Sequence, residues 1–516
     1  MSAAQLQAAR QRRLNKPHPA IIPDGIAAQL LAGAFDDEPV RPLPQPELWP
    51  NYIARHAGSF SALGFTMVLI SAWQLWRLPP QAIMEGKVIP TDWKIFGETN
   101  VSDHIAAKRL PRLLRGSPAA SWRAVNRWTP AYLSSKEWTL SQVWQSDQPV
   151  FVYSSAEGEL GGLTKMLPPA ENASAIVHMD RSMRAADFFG GDGLAPYRYY
   201  QDEASALGAA LLEDLKFNAI HAPTDPFDAF TVHADADGVT EAPAALAWIG
   251  TEGCETQAHY DQEHNFFVQL YGRKTFYLWP PDAHEELRLF PTRHPRHRQS
   301  SLVSPWLFQK GVRPPIVAEL EPGDVLYNPP FWLHHVRAAS NFSASISIWT
   351  PSAEARRRAA IERLPLPWEA DWPEETTTLA AAQLCRALFL AIHGGEVAAR
   401  TALRKQLRQY DVLRSFPKSE WSDLVPPLGR HDFLGPMGAE MAAMCDDADE
   451  RHRLNQAVAR AVPALVSAVR AVSSDHAVQA IALSNYVEAL AHFVVGREKI
   501  QPFLDVCIWG DGPWEP

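Results

Sequence analysis

The chain contains few cysteines. Only four occur among its 516 residues, and they are scattered along the sequence: Cys254, Cys385, Cys445 and Cys507. A disulfide framework or a zinc knuckle needs paired cysteines at close spacing. The spacing therefore argues against both kinds of site, and it favours a reducing, cytoplasmic compartment.

The chain also lacks an excess of positive charge. Lysine and arginine number 48 against 58 aspartate and glutamate residues, and the formal net charge is −10. A general nucleic-acid-binding protein shows a basic face, so this balance argues against that class. Apolar residues make up 46% of the chain and charged residues 21%, a composition that excludes disorder of the whole chain.

Long hydrophobic runs are missing as well. The most apolar segment, 62–76, is about 15 residues long and contains Gln74, whereas a membrane span needs about 20 apolar residues. We therefore predict a buried helix there and no membrane partner. The basic residues near the start of the sequence are not followed by the apolar core of a secretory signal.

What the chain does contain is a histidine and a carboxylate two residues apart, His259 and Asp261. Side chains at i and i+2 of a strand lie on the same face, so both can reach one ion. The apolar runs 266–270 and 275–279 follow, separated by Gly272, which predicts strand, turn and strand. Two histidines and one carboxylate on one face of an ion leave three positions open, as in non-haem Fe(II) oxygenases. The third ligand has to come from a neighbouring strand.

Two adjacent histidines, His334 and His335, lie about seventy residues further along. A turn at 321–324, a strand at 325–327 and a proline break at 328–330 precede them. If the segment is extended, only one of the two side chains can face the metal ion. The residue pattern alone leaves the choice between them open.

At these residues the chain resembles the JmjC-type cupin oxygenases, which depend on Fe(II), 2-oxoglutarate and O2, and within that family it resembles the asparaginyl hydroxylases. The likeness is dense over 250–349 and fades outside. It implies an α+β fold with a double-stranded β-helix (jelly-roll) core of two facing antiparallel sheets, braced by helices. It also implies that His334, the histidine of a Trp-x-His-x-Val pattern, is the third ligand, which leaves His335 to packing or to contacts behind the ligands.

The resemblance also assigns a 2-oxoglutarate site. The far carboxylate of this co-substrate needs a buried cation, and the family's lysine matches Lys274. Ser347 stands where a further asparagine is expected, so that contact is in question. Hydroxyl and amide groups expected to complete the carboxylate's hydrogen bonds are those of Thr256, Asn265 and Tyr199.

A basic segment, 293–300, would ordinarily be a solvated loop. The asparaginyl hydroxylases that the chain resembles have an Arg-Gln pair at this place, which hydrogen-bonds the amide of the target side chain. The resemblance therefore implies that Arg298 and Gln299 bind the substrate. Two hydrogen bonds from such a pair can orient one C–H bond toward the iron.

The composition changes along the chain and divides it into three parts. We expect a mostly helical or irregular region at 1–116, the oxygenase domain at 117–352 and a helical domain at 353–516. The basic stretch 108–115 fits a solvated helix face or a partner-binding edge.

The last part shows helical periodicity. One helix is predicted from Pro373 to Ile392, before Gly394. A second starts at the cap Ser474-Asp475 and ends at Gly496. Helices with one apolar face have to pack on something, so this domain is a candidate for homodimer formation or for docking a substrate peptide.

We therefore expect a hydroxylase that oxidises a side chain such as Asn, Asp or His in a protein or peptide while it converts 2-oxoglutarate to succinate and CO2. The alternatives are the same chemistry on a small metabolite, an RNA base or a methyl-lysine, a metal cupin without 2-oxoglutarate, and a non-catalytic peptide-binding cupin. The acidic charge disfavours RNA. Lys274 argues against a cupin without 2-oxoglutarate, and the intact ligand set weighs against a non-catalytic module.

Overall fold

The computed structural model of the chain describes residues between 83 and 509, within one of two compact units, Pro79–Pro516. The apolar run 62–76, predicted as a buried helix, lies outside the described residues. The residues that are not described are 1–82, 85, 97–100, 137, 142, 155–164, 168–176, 181, 192, 216–224, 234–236, 239–241, 295, 303–310, 369–371, 414–447 and 510–516.

The strands of this unit are short, and most of them belong to two large sheets. Their bounds are β1 Ile83–Met84, β2 Lys87–Val88, β3 Pro90–Asp92, β4 Arg112–Arg115, β5 Thr139–Leu140, β6 Val143–Ser146, β7 Val150–Ser154, β8 Lys165–Leu167, β9 Val177–Asp180, β10 Met183–Arg184, β11 Tyr197–Glu203, β12 Ala244–Thr251, β13 Glu255–Tyr260, β14 His264–Tyr271, β15 Lys274–Trp279, β16 Ile316–Leu320, β17 Val325–Asn328, β18 Leu333–Ala338 and β19 Phe342–Thr350.

Eight consecutive strands, β12 to β19, build the core. One sheet contains the order β16-β15-β18-β13 and the other contains β17-β14-β19-β12. Neighbours within each order are antiparallel, and the chain crosses from one sheet to the other several times. This is the topology of a jelly roll, and it confirms the predicted double-stranded β-helix.

Strands that precede residue 117 extend both sheets. β4 pairs with β17, β3 pairs with β4, and β2 pairs with β16. The sequence predicted a solvated helix face or a partner-binding edge at 108–115, whereas Arg112–Arg115 is a paired strand whose two leucines are buried. Four residues with arginine at both ends are too few to show the two-residue period of a strand.

Gly272 lies where the chain passes from β14 in one sheet to β15 in the other. Its φ of +65° lies in the left-handed region, and a Cβ atom there would sit 2.0 Å from the carbonyl oxygen of Phe342. Only glycine avoids that collision and adopts this φ at little cost. The tight corner makes Lys274 the first residue of β15.

Helices cover the outer faces of the sheets. Their bounds are α1 Val101–Ala106, α2 Pro130–Ser134, α3 Ala185–Gly190, α4 Ala209–Asp214, α5 Ala353–Ile361, α6 Glu374–His393, α7 Glu396–Leu413, α8 Ala448–Val472, α9 His476–Val495 and α10 Ile500–Pro502, followed by a π-helical turn at Phe503–Cys507.

The helical part has the expected start and caps. α5 begins directly after β19, α6 ends at Gly394 in the left-handed conformation, and the side chain of Asp475 accepts a hydrogen bond from the backbone of Ala477 at the start of α9. By length and composition α9 also passes as a membrane span, but 61% of that window is buried within the fold, as in many core helices.

One apolar cluster joins the helical part to the β-helix. Trp279 and Leu333, from strands of the sheet that contains β13, share this cluster with Leu384 and Leu388 of α6 and with Leu490 of α9. The outer face of that sheet is therefore covered by the helices that follow residue 353.

The structure contains a disulfide bond at one cysteine. Cys507 is disulfide-bonded, which the scattered spacing did not indicate. The sequence argued against a framework of several disulfides, and this one bond does not test that prediction. Cys254 and Cys385 are free and buried.

Candidate metal centre

His259 and His334 lie side by side on the neighbouring strands β13 and β18. They are register partners, and their ring centroids are 4.2 Å apart. Asp261 follows the end of β13. One of its carboxylate oxygens lies 3.8 Å from Nε2 of His259, and the other lies 3.6 Å from Nε2 of His334. Each of the three residues can therefore offer one ligand atom to the same ion.

A β-bulge shapes this end of β13. The register with β18 shifts between Thr256 and His259. In a regular strand residues three apart face opposite sides, and a bulge re-aims one of them, so both can reach the interior. The side-chain amide of Gln257, inside the bulge, donates to the carbonyl oxygens of Ser300 and Leu302 at 2.8 and 2.6 Å.

Backbone carbonyls orient both imidazoles. Nδ1 of His259 lies 2.7 Å from the carbonyl oxygen of Gln257, and Nδ1 of His334 lies 3.1 Å from that of Trp332. The tautomer that donates from Nδ1 to these carbonyls leaves the lone pair of each Nε2 directed at the shared space, as in metal-binding histidines. Burial, followed by the neighbouring His334, lowers the pKa of His259 to about 3, so this imidazole is neutral at physiological pH.

Asp261 completes a donor set that fits a divalent cation. Its Oδ2 atom is buried and has no hydrogen-bond partner among the described residues, which is costly for a carboxylate oxygen unless a cation binds there. Two imidazole nitrogens and one carboxylate form the facial set of non-haem Fe(II) oxygenases. The residues present therefore fit iron(II).

His335 points away from this cluster. Its Nε2 lies 2.9 Å from Oε2 of Glu255, whose other oxygen lies 3.3 Å from Nε of Arg337. Successive side chains of a strand face opposite sides, so β18 can direct only one of its two histidines inward. The geometry places His334, and not its neighbour, beside Asp261.

Lys274 lies inside the β-helix without an acidic partner. The residue is 2% exposed, and Nζ donates to Oγ of Ser345 at 3.0 Å and lies 5.1 Å from the ring centre of Phe267. No carboxylate of the described part of the chain forms an ion pair with it, and burial lowers its pKa to about 7. Its register partner is Ala338, four residues beyond His334 or about 13 Å along β18. That separation leaves room for a small dicarboxylate between Nζ and the histidines.

Tyr199 and Thr256 lie in the same interior. The hydroxyl groups of the two residues are 3.4 Å apart, and Nζ of Lys274 lies 5.6 Å from the Tyr199 ring centre. Tyr199 also stacks on Phe151 at 5.6 Å between centroids. The structure therefore brings these two expected 2-oxoglutarate contacts together with the lysine.

Asn265 contributes an amide to this interior. It is 3% exposed, and its Oδ1 atom has no hydrogen-bond partner in the described structure. Its register partner on β17 is Asn328, whose side-chain amide lies 3.1 Å from Nδ1 of His334. The sequence did not indicate Asn328, because an Asn-Pro-Pro run is typical of a turn.

Two serines of β19 form hydrogen bonds with different side chains. Ser345 accepts the hydrogen bond from Lys274, whereas Ser347 accepts one from Nε1 of Trp248 at 3.0 Å. Ser347 stands where the resemblance expected an asparagine contact to 2-oxoglutarate. Ser345 and Ser347 are two residues apart on the same face of β19. Only the position of β19 against the opposite sheet shows which of the two serines contacts Lys274.

Arg298 and Gln299 lie along the strand that carries the first ligand. Gln299 is 1% exposed and forms a β-bridge with His259. The carbonyl oxygen of Arg298 accepts a hydrogen bond from the backbone of Tyr260 at 3.3 Å, and its guanidinium lies 6.0 Å from the centre of that ring. The structure therefore brings both predicted substrate-binding residues next to the metal ligands, and contact with a substrate stays a prediction.

The part of the chain that forms this site matches a known protein family. Residues 98–353 match the family of the Cupin-like domain, a range that includes all three candidate ligands and Lys274. This part of the chain is a cupin-like domain of the JmjC type. The JmjC family consists largely of Fe(II)- and 2-oxoglutarate-dependent oxygenases, so the predicted family is confirmed. The finer likeness to asparaginyl hydroxylases stays a prediction.

Relatives of the JmjC domain differ in their names. HSPB1-associated protein 1 of Mus musculus is 35% identical over 131 residues, which are 23% of this chain and 26% of that protein. Jumonji C domain-containing protein 5 of Drosophila melanogaster is 32% identical over 122 residues (21% and 29%). Lysine-specific demethylase JMJ30 of Arabidopsis thaliana is 33% identical over 118 residues (22% and 27%). The chain thus spans between a quarter and a third of the length of each of these relatives.

Proposed function

We propose that the protein is an Fe(II)- and 2-oxoglutarate-dependent hydroxylase that acts on a side chain, such as Asn, Asp or His, of a protein or peptide. One observation carries the proposal. A buried amine, Lys274, which forms an ion pair with no carboxylate among the described residues, lies in the same interior as the cluster of His259, Asp261 and His334. A structural metal site would not need a buried cation beside it, whereas a dicarboxylate that also binds the metal ion does.

Iron(II) at these ligands, together with 2-oxoglutarate, supplies O2 activation coupled to decarboxylation to succinate and hydroxylation of a substrate C–H bond. The protein's own groups bind and orient. Lys274 holds the far carboxylate, and the hydroxyl groups of Tyr199 and Thr256 are available as further hydrogen-bond donors. Phe267 and Trp248 line the interior with apolar surface, which keeps water from the reacting groups.

Two features support a protein or peptide as the substrate. Arg298 and Gln299 lie beside His259, where an amide or guanidinium pair can hold a side-chain amide or carboxylate by two hydrogen bonds. The name HSPB1-associated protein 1 denotes a relative that associates with another protein. The name of JMJ30 denotes a lysine-specific demethylase, so methyl-lysine is the competing substrate.

The decisive experiment uses the full chain loaded with Fe(II). The protein is incubated with 2-oxoglutarate and peptides from a lysate of its own organism. Succinate is then measured, and the peptides are searched by mass spectrometry for a gain of one oxygen or the loss of a methyl group. We expect oxidised peptides with the wild-type protein and none with Asp261→Ala. Methyl loss from lysine without oxygen gain would overturn the hydroxylase assignment, and absence of succinate would overturn the oxygenase itself.

A further inference from the structure

The hairpin that carries Arg298 and Gln299 touches the helical domain at its tip. We define this hairpin as residues 289–300, because Leu289 and Ser300 form a β-bridge at its base. The two sides of the hairpin are also joined by a hydrogen bond of 2.9 Å from the backbone N–H of Phe290 to the carbonyl oxygen of Gln299.

Two hydrogen bonds join the tip of hairpin 289–300 to α9 and the turn that follows it. The hydroxyl of Thr292 donates to Oδ1 of Asn485 at 2.8 Å. The guanidinium of Arg497 donates to the carbonyl oxygen of Arg293 at 2.9 Å. Both contacts link residues about two hundred positions apart in the chain, so they depend on how the helical domain is docked.

A buried acid lies at the same contact. Glu488 of α9 is 0% exposed, and Nε2 of Gln406 on α7 donates to its Oε1 at 3.2 Å. Burial raises the pKa of Glu488, while Gln406, Tyr410 and the backbone of Thr292 and Arg293 act in the opposite direction. Glu488 therefore lies next to the tip, while the hydrogen bonds of Thr292 and Arg293 are the contacts that hold the tip in place.

The second side of hairpin 289–300 is joined to β13. The backbone N–H of Ser300 donates to the carbonyl oxygen of Ala258 at 2.7 Å, and the carbonyl oxygen of Arg298 accepts from Tyr260. Arg298 itself has a φ of +66°, a left-handed conformation that is unfavourable for a residue with a side chain and persists only where the surroundings impose it.

We propose that the helical domain is a positioning element of the oxygenase site, in which Asn485 and Arg497 hold the tip of hairpin 289–300 and thereby place Arg298 and Gln299 at the mouth of the metal centre. The role of the last two residues rests on the proposed function, whereas the holding of the hairpin does not. The metal ligands lie on paired β-strands or directly after one, so they do not need this support.

The test removes both hydrogen bonds, one by a substitution in the hairpin and the other by a substitution in the turn after α9. Thr292→Val deletes the hydroxyl at nearly constant volume, and Arg497→Ala deletes the guanidinium. Since one hydrogen bond shifts an equilibrium by a factor of about 2 to 12, loss of both bonds in the double variant should make the amide hydrogens of 289–300 exchange about 4- to 140-fold faster. Thr292→Ser keeps the hydroxyl, and Phe493→Ala changes an exposed side chain of α9; both should exchange as the wild type does.

A second readout separates positioning from general weakening. In the double variant we expect 2-oxoglutarate consumption in the absence of substrate to stay within about twofold of the wild-type rate. The yield of oxidised lysate peptides per succinate formed should fall at least about fivefold, because the loss of two hydrogen bonds is enough for such a change. Asn485→Ala should add little to Thr292→Val, because both remove the same hydrogen bond.

Unchanged exchange of the hairpin in the double variant would overturn the inference. So would faster exchange spread evenly through α6 and α9, which marks general destabilisation. If the wild-type protein forms no succinate, the proposed function fails, but the exchange data still decide whether the helical domain holds the hairpin.

Discussion

We expect the buried amine of Lys274 to make the affinity for 2-oxoglutarate depend on pH. Burial lowers its pKa to about 7 in the ligand-free protein, and a bound carboxylate favours the ammonium form. Above pH 7 the free protein therefore carries mostly the neutral amine and has to take up a proton when 2-oxoglutarate binds. The dissociation constant should rise with pH from about 7 upward until it reaches the higher pKa of the complex.

The size of the effect follows from the pKa of Lys274. With a pKa near 7, the protonated fraction falls from about nine tenths at pH 6 to about one tenth at pH 8, so Kd should rise about tenfold, or ~1.4 kcal/mol. Calorimetric titration of the Co(II)-loaded protein with 2-oxoglutarate measures Kd at each pH. Titrations in two buffers of different ionisation enthalpy measure the proton uptake directly.

Two substitutions of Lys274 serve as controls. Lys274→Arg keeps a positive charge at every pH of the range, since the guanidinium pKa exceeds 12, so its Kd should lose the dependence on pH. Lys274→Met should bind 2-oxoglutarate at least about 100-fold more weakly, because a carboxylate would be left buried without a cation. A wild-type Kd that stays constant from pH 6 to 8 with no proton uptake would refute the reasoning.

Further variants test the remaining groups. Asp261→Ala should lose Co(II) binding, measured by visible absorption. Its thermal unfolding midpoint should stay at or above the wild-type value, because a buried oxygen without a hydrogen-bond partner is removed. A lower unfolding midpoint with retained metal would contradict this. His334→Gln should lose Co(II) while His335→Gln keeps it, and the reverse result would reassign the ligand. Ser345→Ala removes the acceptor of the Lys274 ammonium, so the midpoint of the pH profile in calorimetry should move to lower pH; an unchanged midpoint would exclude that contact.

Two of the candidate ligands could be predicted from the residue pattern, and the resemblance to the family supplied the third, His334. His259 and Asp261 are separated by one residue before an apolar run, and the adjacent histidines come from a second extended segment. The register of β13 against β18 then brings His259 opposite His334. The β-bulge was not predictable, because nothing in the residues after Thr256 marks an extra position in the strand.

The contacts of Lys274 could be predicted only in part. The lysine and Tyr199 meet as the resemblance implied, but the serine that accepts the hydrogen bond is Ser345. Alternating serines on β19 all face the interior equally well by period. Their distance to a lysine of the opposite sheet depends on how the two sheets pack, which local sequence does not contain.

The predicted helical domain raised two possible roles, a dimer contact and a peptide-docking surface, and the structure adds a third that the sequence could not indicate. The metal ligands and Lys274 lie on or next to paired strands, where backbone hydrogen bonds fix them. Arg298 instead lies on a hairpin in an unfavourable backbone conformation, whose tip is held from another domain. Under the proposed function, the groups that bind the metal ion and the groups that bind the substrate therefore have separate supports. We therefore expect loss of the Asn485 hydrogen bond to change which peptide is oxidised more than it changes metal binding, because backbone pairing of β13 with β18 supports the histidine ligands.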